Sequence, residues 1–384
     1  MPHTNHSPPF SEPYSTGRND TGLPLFMFAI RKFRVSTFGF ALSALLVLGG
    51  VAGAASSPTV YDVVEIGSID QTLGEIVRGP DNAGGVIGGT AGFGFGTRAF
   101  HLTRSEVKKI PALPGSDRSI AHGTNAQGMV VGSSNTATAL HAFLWAGQGN
   151  AKDLGTLPGD SASEALAINN HNEVAGYSSG PKGMQAVLWS ADGKIRGLGV
   201  LSPGDHSRAA SINDLGQVAG SSGQGGKNRA FLWTRAGGLI NLGALPGDTE
   251  SVAVGINRHT QVVGYSSGPN GTRAFIWTRA RGMKDLGALP GHDYIRAHSI
   301  NDHGAVVGVS SGSSGARAFL WTNGSAMRDL NSMVKLDGDF ILVQGVGIND
   351  QGTILAIARD DEGHGDAHDN HEAPARMMLL TPKR

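Results

Sequence analysis

Residues Leu239 to Thr278 read LINLGALPGDTESVAVGINRHTQVVGYSSGPNGTRAFIWT. Four short apolar runs, LINLGAL, SVAVGIN, QVVGYS and RAFIWT, are separated by turn residues, and each is too short for a helix and rich in strand formers. The second and third runs are joined by a few residues around Asn257, and the third and fourth by a Gly-rich loop, so neighbours should pair as antiparallel hairpins. The segment reads as a meander of four strands.

The same unit recurs along the chain. Trp145, Trp189, Trp233, Trp277 and Trp321 lie 44 residues apart, as do Asn125, Asn169, Asn213, Asn257 and Asn301, and Asp81 stands 44 before Asn125. Pro114, Pro158, Pro203, Pro246 and Pro290 mark the turn after the first run. Counted by strand sequence there are seven units. The first opens at Tyr61 and closes at Leu102, and the seventh opens at Met327 and closes near Pro382, with Leu102 and Leu380 in the Trp place. Seven four-stranded units of this size predict an all-β, seven-bladed β-propeller over residues 60–382. An open β-solenoid is the competing architecture, but its strands run parallel between rungs, which the hairpin-length connections disfavour. Closure of the ring by a strand exchanged between the termini is left open.

Most repeated positions read as structural. Ala121, Ala165, Ala209, Ala253 and Ala297 are small where one sheet should approach the next, and the Asn four residues later should bond to backbone amides two residues on. Gly132, Gly176, Gly220, Gly264 and Gly308 suit a bulge or a close backbone approach. A Trp could stack on a ligand, but one per unit is more simply the wedge packing blade on blade.

The 384 residues include 31 Lys plus Arg and 31 Asp plus Glu, so sequence-independent nucleic-acid binding has little charge to use. The absence of cysteine excludes disulfides, thiolate nucleophiles and Cys-ligated metals. The 58 glycines favour tight turns over helices. Residues 27–55 carry Arg31, Lys32 and Arg34, an apolar run from Phe38 to Leu48 and a small-residue exit at Ala52, Gly53 and Ala54, the order of a secretory signal peptide. An uncleaved anchor helix is the alternative. Residues 1–26 have no apolar pattern and read as a disordered leader, with translation expected to start at Met27. The expected product is exported, periplasmic or extracellular, and free of the membrane after cleavage.

The closing-strand sequence His141-Ala142-Phe143-Leu144-Trp145, with INxxGxVVG-like hairpins and LGxLPG turns, resembles the bacterial HAF-repeat family from Tyr61 to Pro382. Most units here carry Arg-Ala-Phe instead, led by Arg98, Arg229, Arg273 and Arg317, and one has Gln185-Ala186-Val187, so the His is no general requirement. The resemblance implies an extracellular repeat protein. It carries over no catalytic residues and no established enzymatic activity.

Departures from the repeat are the better functional candidates. The seventh unit is lengthened within DDEGHGDAHDNHEAPA, an acidic and His-rich insertion at residues 360–373. There His364, Asp366, His368 and His371 could ligate a divalent metal, although they lack a recognised ligand spacing. No other cofactor is expected. Five residues before the repeated Asn, Glu164, Arg208 and Arg296 are charged where Ile76, Ile120 and Val252 are apolar, with His206, His292 and Tyr294 nearby. These should gather at one end of the disc. Gly-Lys-Ser/Thr, Gly-x-Ser-x-Gly and His-Glu-x-x-His motifs are all absent. The expected function is therefore a non-enzymatic scaffold or binding module whose partner is a protein or glycan of the cell envelope. An extracellular glycan-active hydrolase or lyase is the main alternative, favoured by buried acids of raised pKa at one channel mouth, and a metal-binding module is the second.

Overall fold

The computed structural model describes residues 60–69, 76–92, 95–136, 138–225, 227–360 and 375–383. The expected leader at 1–26, the expected signal peptide at 27–55 and the metal candidates His364, Asp366, His368 and His371 lie outside the described residues. The described chain forms seven four-stranded antiparallel sheets, the blades of a β-propeller, with blades 5 and 6 linked by one parallel bridge between Thr272 and Tyr294. Blade 5 is representative: Glu250–Ile256, Val262–Gly268, Gly271–Thr278 and Gly282–Asp285, from the channel outward. The other inner strands, in ring order from blade 1, are Ile76–Arg78, Ser119–Thr124, Ala162–Ile168, His206–Ile212, His292–Ile300 in blade 6 and Phe340–Ile348 in blade 7.

The blade boundary differs by one strand from the unit read in the sequence. Gly238–Asn241, which contains the run opening at Leu239, does not begin blade 5; it pairs with Lys227–Thr234, Trp233 opposite Leu239, as the outer strand of blade 4. The turn after each Trp is the tight hairpin and the Leu-Pro-Gly turn is the crossing to the next blade. Both are short and Gly-rich, so strand counting alone does not set the phase. The same correction applies at the ends. Tyr61–Ile69 does not open blade 1 but completes blade 7, running antiparallel to Ala375–Pro382 from Tyr61 opposite Pro382 to Ile69 opposite Ala375. Met327 correspondingly precedes the outer strand Arg328–Asp329 of blade 6 instead of opening the seventh unit. An N-terminal strand therefore closes the ring, protecting an edge that would otherwise stay open.

The core lies between blades. Ala230 and Leu232 of blade 4 pack with Ala253, Ile256, Val262, Phe275 and Trp277 of blade 5, and equivalent clusters fill the other junctions. All five Trp are buried, Trp189 completely, which makes them wedges and not ligand platforms. Gly264 sits where the inner strand bulges between Ala253 and Gly255, and a Cβ there would lie 1.9 Å from the Val252 carbonyl oxygen. The glycine is thus required by close approach.

Buried serines, unremarked in the sequence, tie the first five blades in succession. Ser163 and Ser207, both fully buried, accept hydrogen bonds at Oγ from the Ala142 and Ala186 amides and donate to the Gly155 and Gly199 carbonyls. A hydroxyl suits this place because it both accepts and donates.

Candidate functional site

Each inner strand ends at the repeated Asn, which does more than fix its hairpin. Asn257 Oδ1 accepts from the amides of His259 (3.1 Å) and Gln261 (3.0 Å), the local bond expected of an Asn in a turn. Its Nδ2 reaches the next blade and donates to Asn301 O at 3.0 Å. The relay runs from Asn125 through Asn169, Asn213, Asn257, Asn301 and Asn349 to the Asp81 carbonyl. At Asp81 it stops, because an ionised carboxylate has no proton to donate. Burial opposes the Asp81 charge, but His101, whose Nε2 lies 3.7 Å from Oδ2, and the amides of Gly85 and Ala83 together hold its pKa below the usual value.

The following residue builds a second, partial ring. The Asn170 amide donates to Asp214, Arg258 to Asp302, Asp302 to Asp350 and Asp350 to Asn82. Together these rings enclose a bowl of about 270 Å³ at one end of the channel, lined by the Asn ring and the Ile residues before it. Its carboxylates serve the joints between blades.

The unsymmetrical chemistry lies on the inner strands themselves. Glu164 of blade 3 holds His122 of blade 2 at 2.6 Å through Oε1, and its Oε2 accepts from the Tyr177 hydroxyl. Burial works against the Glu164 charge, but the hydrogen bond and charge of His122, the Tyr177 hydroxyl and nearby Arg208 outweigh it and bring its pKa down to about 2. Burial, with the bond to and charge of Glu164, raises the Tyr177 pKa. The Arg208 guanidinium lies over the Tyr177 ring, 5.8 Å from its centroid, and Arg296 over Tyr265 at 4.2 Å and Tyr294 at 4.9 Å.

These groups face the axis. Glu164, Arg208 and Arg296 lie on the innermost strands of blades 3, 4 and 6, and Arg78 on that of blade 1. Surrounding protein and the like charge of Arg208 lower the Arg78 pKa, with Glu164 opposing. The His298 Nδ1–H donates to the Gly345 carbonyl at 2.9 Å, and Gln344 Nε2 lies 3.4 Å from the same nitrogen. Burial, together with Arg78 and Arg296, brings the His298 pKa down to about 4 against the effect of Gly345, so the ring is neutral at pH 7.

The structure thus unites Glu164, Arg208 and Arg296, placing them within inner strands and not on loops. Arg78, His122, Tyr177, Tyr265, His298 and Gln344 were missed. Their signal was present: His122 and His298 stand three residues before the repeated Asn, as Arg78 does before Asp81. His206 and His292 are held locally, the first by Asp205 and Asn228, the second by Ser310 and Ser314. No group of three or more His, Asp or Glu suited to a metal occurs among the described residues. Nor is any helix among them long and apolar enough to cross a membrane.

No family model matches the chain, and no curated protein matches it. Solved structures do. A streptogramin B lyase is 14% identical, covers 84% of this chain and 98% of its own, and superposes with a TM-score of 0.52. Virginiamycin B lyase from Staphylococcus aureus gives the same identity and TM-score, with 84% of this chain and 99% of its own covered. Puromycin hydrolase is 12% identical over 74% of this chain and 50% of its own, at a TM-score of 0.50. At such identity the likeness is one of fold, and the class it defines with the seven blades is the β-propeller.

Proposed function

We propose that this chain is an exported, HAF-type propeller that binds a ligand of the cell envelope in its central channel without transforming it. The observation that carries the reading is the arrangement around Glu164. Its two oxygens are engaged by His122 and Tyr177 and its pKa stands near 2, so it neither releases a proton near neutrality nor takes one up. A general acid for glycoside hydrolysis calls for a raised pKa, so Glu164 is not adjusted for that role. Elsewhere the carboxylates of the Asn bowl are spent on inter-blade bonds. The chain uses its repeats as a frame and breaks their symmetry along the axis.

A thermal-shift screen of the purified chain against envelope glycans and divalent metals, with chelator controls, tests this. A ligand at 100 times its dissociation constant adds about 2.7 kcal/mol, so binding registers as a raised melting temperature. Binding without product formation, abolished by Arg208→Gln, is the expected result. Turnover of a glycan dependent on Glu164 or His122 would establish the enzyme instead, and a shift reversed by chelator and lost on deleting residues 360–373 would establish the metal module.

A further inference from the structure

The charge along the axis is unbalanced. Arg78, Arg208 and Arg296 come from blades 1, 4 and 6, and among the described residues none has a carboxylate within 4.0 Å. Glu164, the acid in their midst, is taken by His122 and Tyr177. Buried Arg296 Nε makes no hydrogen bond. Arg78 and Arg208 are exposed to the water of the channel, and Tyr294 beside Arg296 is 38% exposed. Three arginines against one glutamate leave an excess of two positive charges, counted with His298 neutral and His122 set aside.

Proteins do not gather like charges without a use or a cost. Two unit charges repel with an energy that rises as solvent is excluded, and a channel walled by protein concentrates their field. Stacking on Tyr177 and Tyr265 reduces the freedom of two guanidinium groups before any ligand arrives. Each then presents an edge of parallel N–H donors, the geometry that matches an oxyanion in pairs.

We propose that Arg78, Arg208 and Arg296 form an anion site on the propeller axis that takes a doubly charged oxyanion, a phosphate monoester or a dicarboxylate, with Gln344 and His122 supplying neighbouring polar contacts. This rests on the reading of the channel as a binding site and specifies what it binds. The excess charge matches a dianion, and hydrogen-bond donors from separate blades can surround it. A neutral sugar would leave the arginines uncompensated.

Isothermal titration of the full chain at low ionic strength tests the site, with inorganic phosphate, glucose 6-phosphate and succinate as probes and glucose as the neutral control. The expected result is one binding event per chain for phosphate-bearing probes, succinate or both, with none for glucose. Arg78→Gln and Arg208→Gln should each weaken it at least tenfold, and Arg208→Lys by less than Arg208→Gln. Arg279→Gln, at an exposed hairpin, should leave it unchanged, and far-ultraviolet circular dichroism with melting temperature reports whether each variant folds. Phosphate against succinate decides which oxyanion the geometry prefers. Silence with all three charged probes, or affinity that survives both glutamine substitutions, overturns the anion site. If a neutral glycan then binds and Arg208→Gln abolishes that binding, the channel reading stands while the anion proposal falls; turnover would remove the binding-module reading itself.

Discussion

Replacing Asn257 by Asp isolates the relay that joins one blade to the next. Asn257 is 3% exposed and its side chain makes four hydrogen bonds: two received from turn amides, one given to Gln261 Oε1 at 2.7 Å and one given to Asn301 O at 3.0 Å. Asn257→Asp keeps the shape and both accepted bonds and loses both donated ones. At about 1 kcal/mol net for each lost bond, plus about 1–3 kcal/mol for a buried carbonyl left facing a carboxylate, the variant should lose about 3–5 kcal/mol at pH 7. Asn257→Ala, which forfeits all four bonds without adding charge, should lose about 4 kcal/mol. Protonation separates the two, since a neutral Asp can again donate to Asn301. Its folded pKa must therefore exceed the unfolded value of about 3.9, so the stability it lends is present below that value and is lost as pH rises through the folded pKa. Urea denaturation of the three chains at matched pH values reads this directly: the deficit of Asn257→Asp relative to the native chain should shrink towards pH 3.5, while that of Asn257→Ala should not. A deficit for Asn257→Asp that is absent at pH 7, or equal at pH 3.5 and 7, would refute the relay as a source of stability.

Trp189→Ala should cost about 3–5 kcal/mol by denaturant unfolding, the usual price of emptying a fully buried aromatic site; a loss below 1 kcal/mol would remove Trp189 from its wedge role. Gly264→Ala drives a methyl group to 1.9 Å from the Val252 carbonyl oxygen and should cost about 1–3 kcal/mol or more, whereas a neutral outcome would mean that the inner strand yields freely. Glu164 has a folded pKa lowered from 4.5 to about 2, so its contribution is present above pH 4.5 and lost as pH falls through 2. Glu164→Gln should accordingly flatten the stability profile between those values, and an unchanged slope there counts against the bonds drawn to His122 and Tyr177.

How much of this was legible in the sequence follows from what repetition constrains. Most blade joints use the same Ala, Asn, Gly and Trp, so these recur at 44 residues and the propeller could be read from them. The phase could not. The hairpin after Trp233 and the crossing at Pro246 are both short and Gly-rich, and only the pairing of Trp233 with Leu239 separates them. The fate of Tyr61–Ile69 hung on that same distinction.

Candidate chemistry was legible only where it broke the pattern at a position already noticed. Glu164, Arg208 and Arg296 stood out five residues before the Asn, but only as strand-entry positions at one end of the disc, because which strand lines the axis was not known. Arg78 and His298, one alternation further along that strand, became visible once it was placed innermost. The partnership of Glu164 with Tyr177 spans two strands, and the stacking of Arg208 on Tyr177 spans two blades, so neither has a spacing in sequence that announces it.

The central claim, that the propeller axis is a binding site built on three arginines, is met most directly by a crystal structure of the chain grown with selenate and measured at the selenium absorption edge. The account predicts an anomalous peak on the axis within hydrogen-bonding reach of Arg78, Arg208 and Arg296, absent in Arg208→Gln. Selenate found only on the outer surface, with the axis holding none, would contradict it.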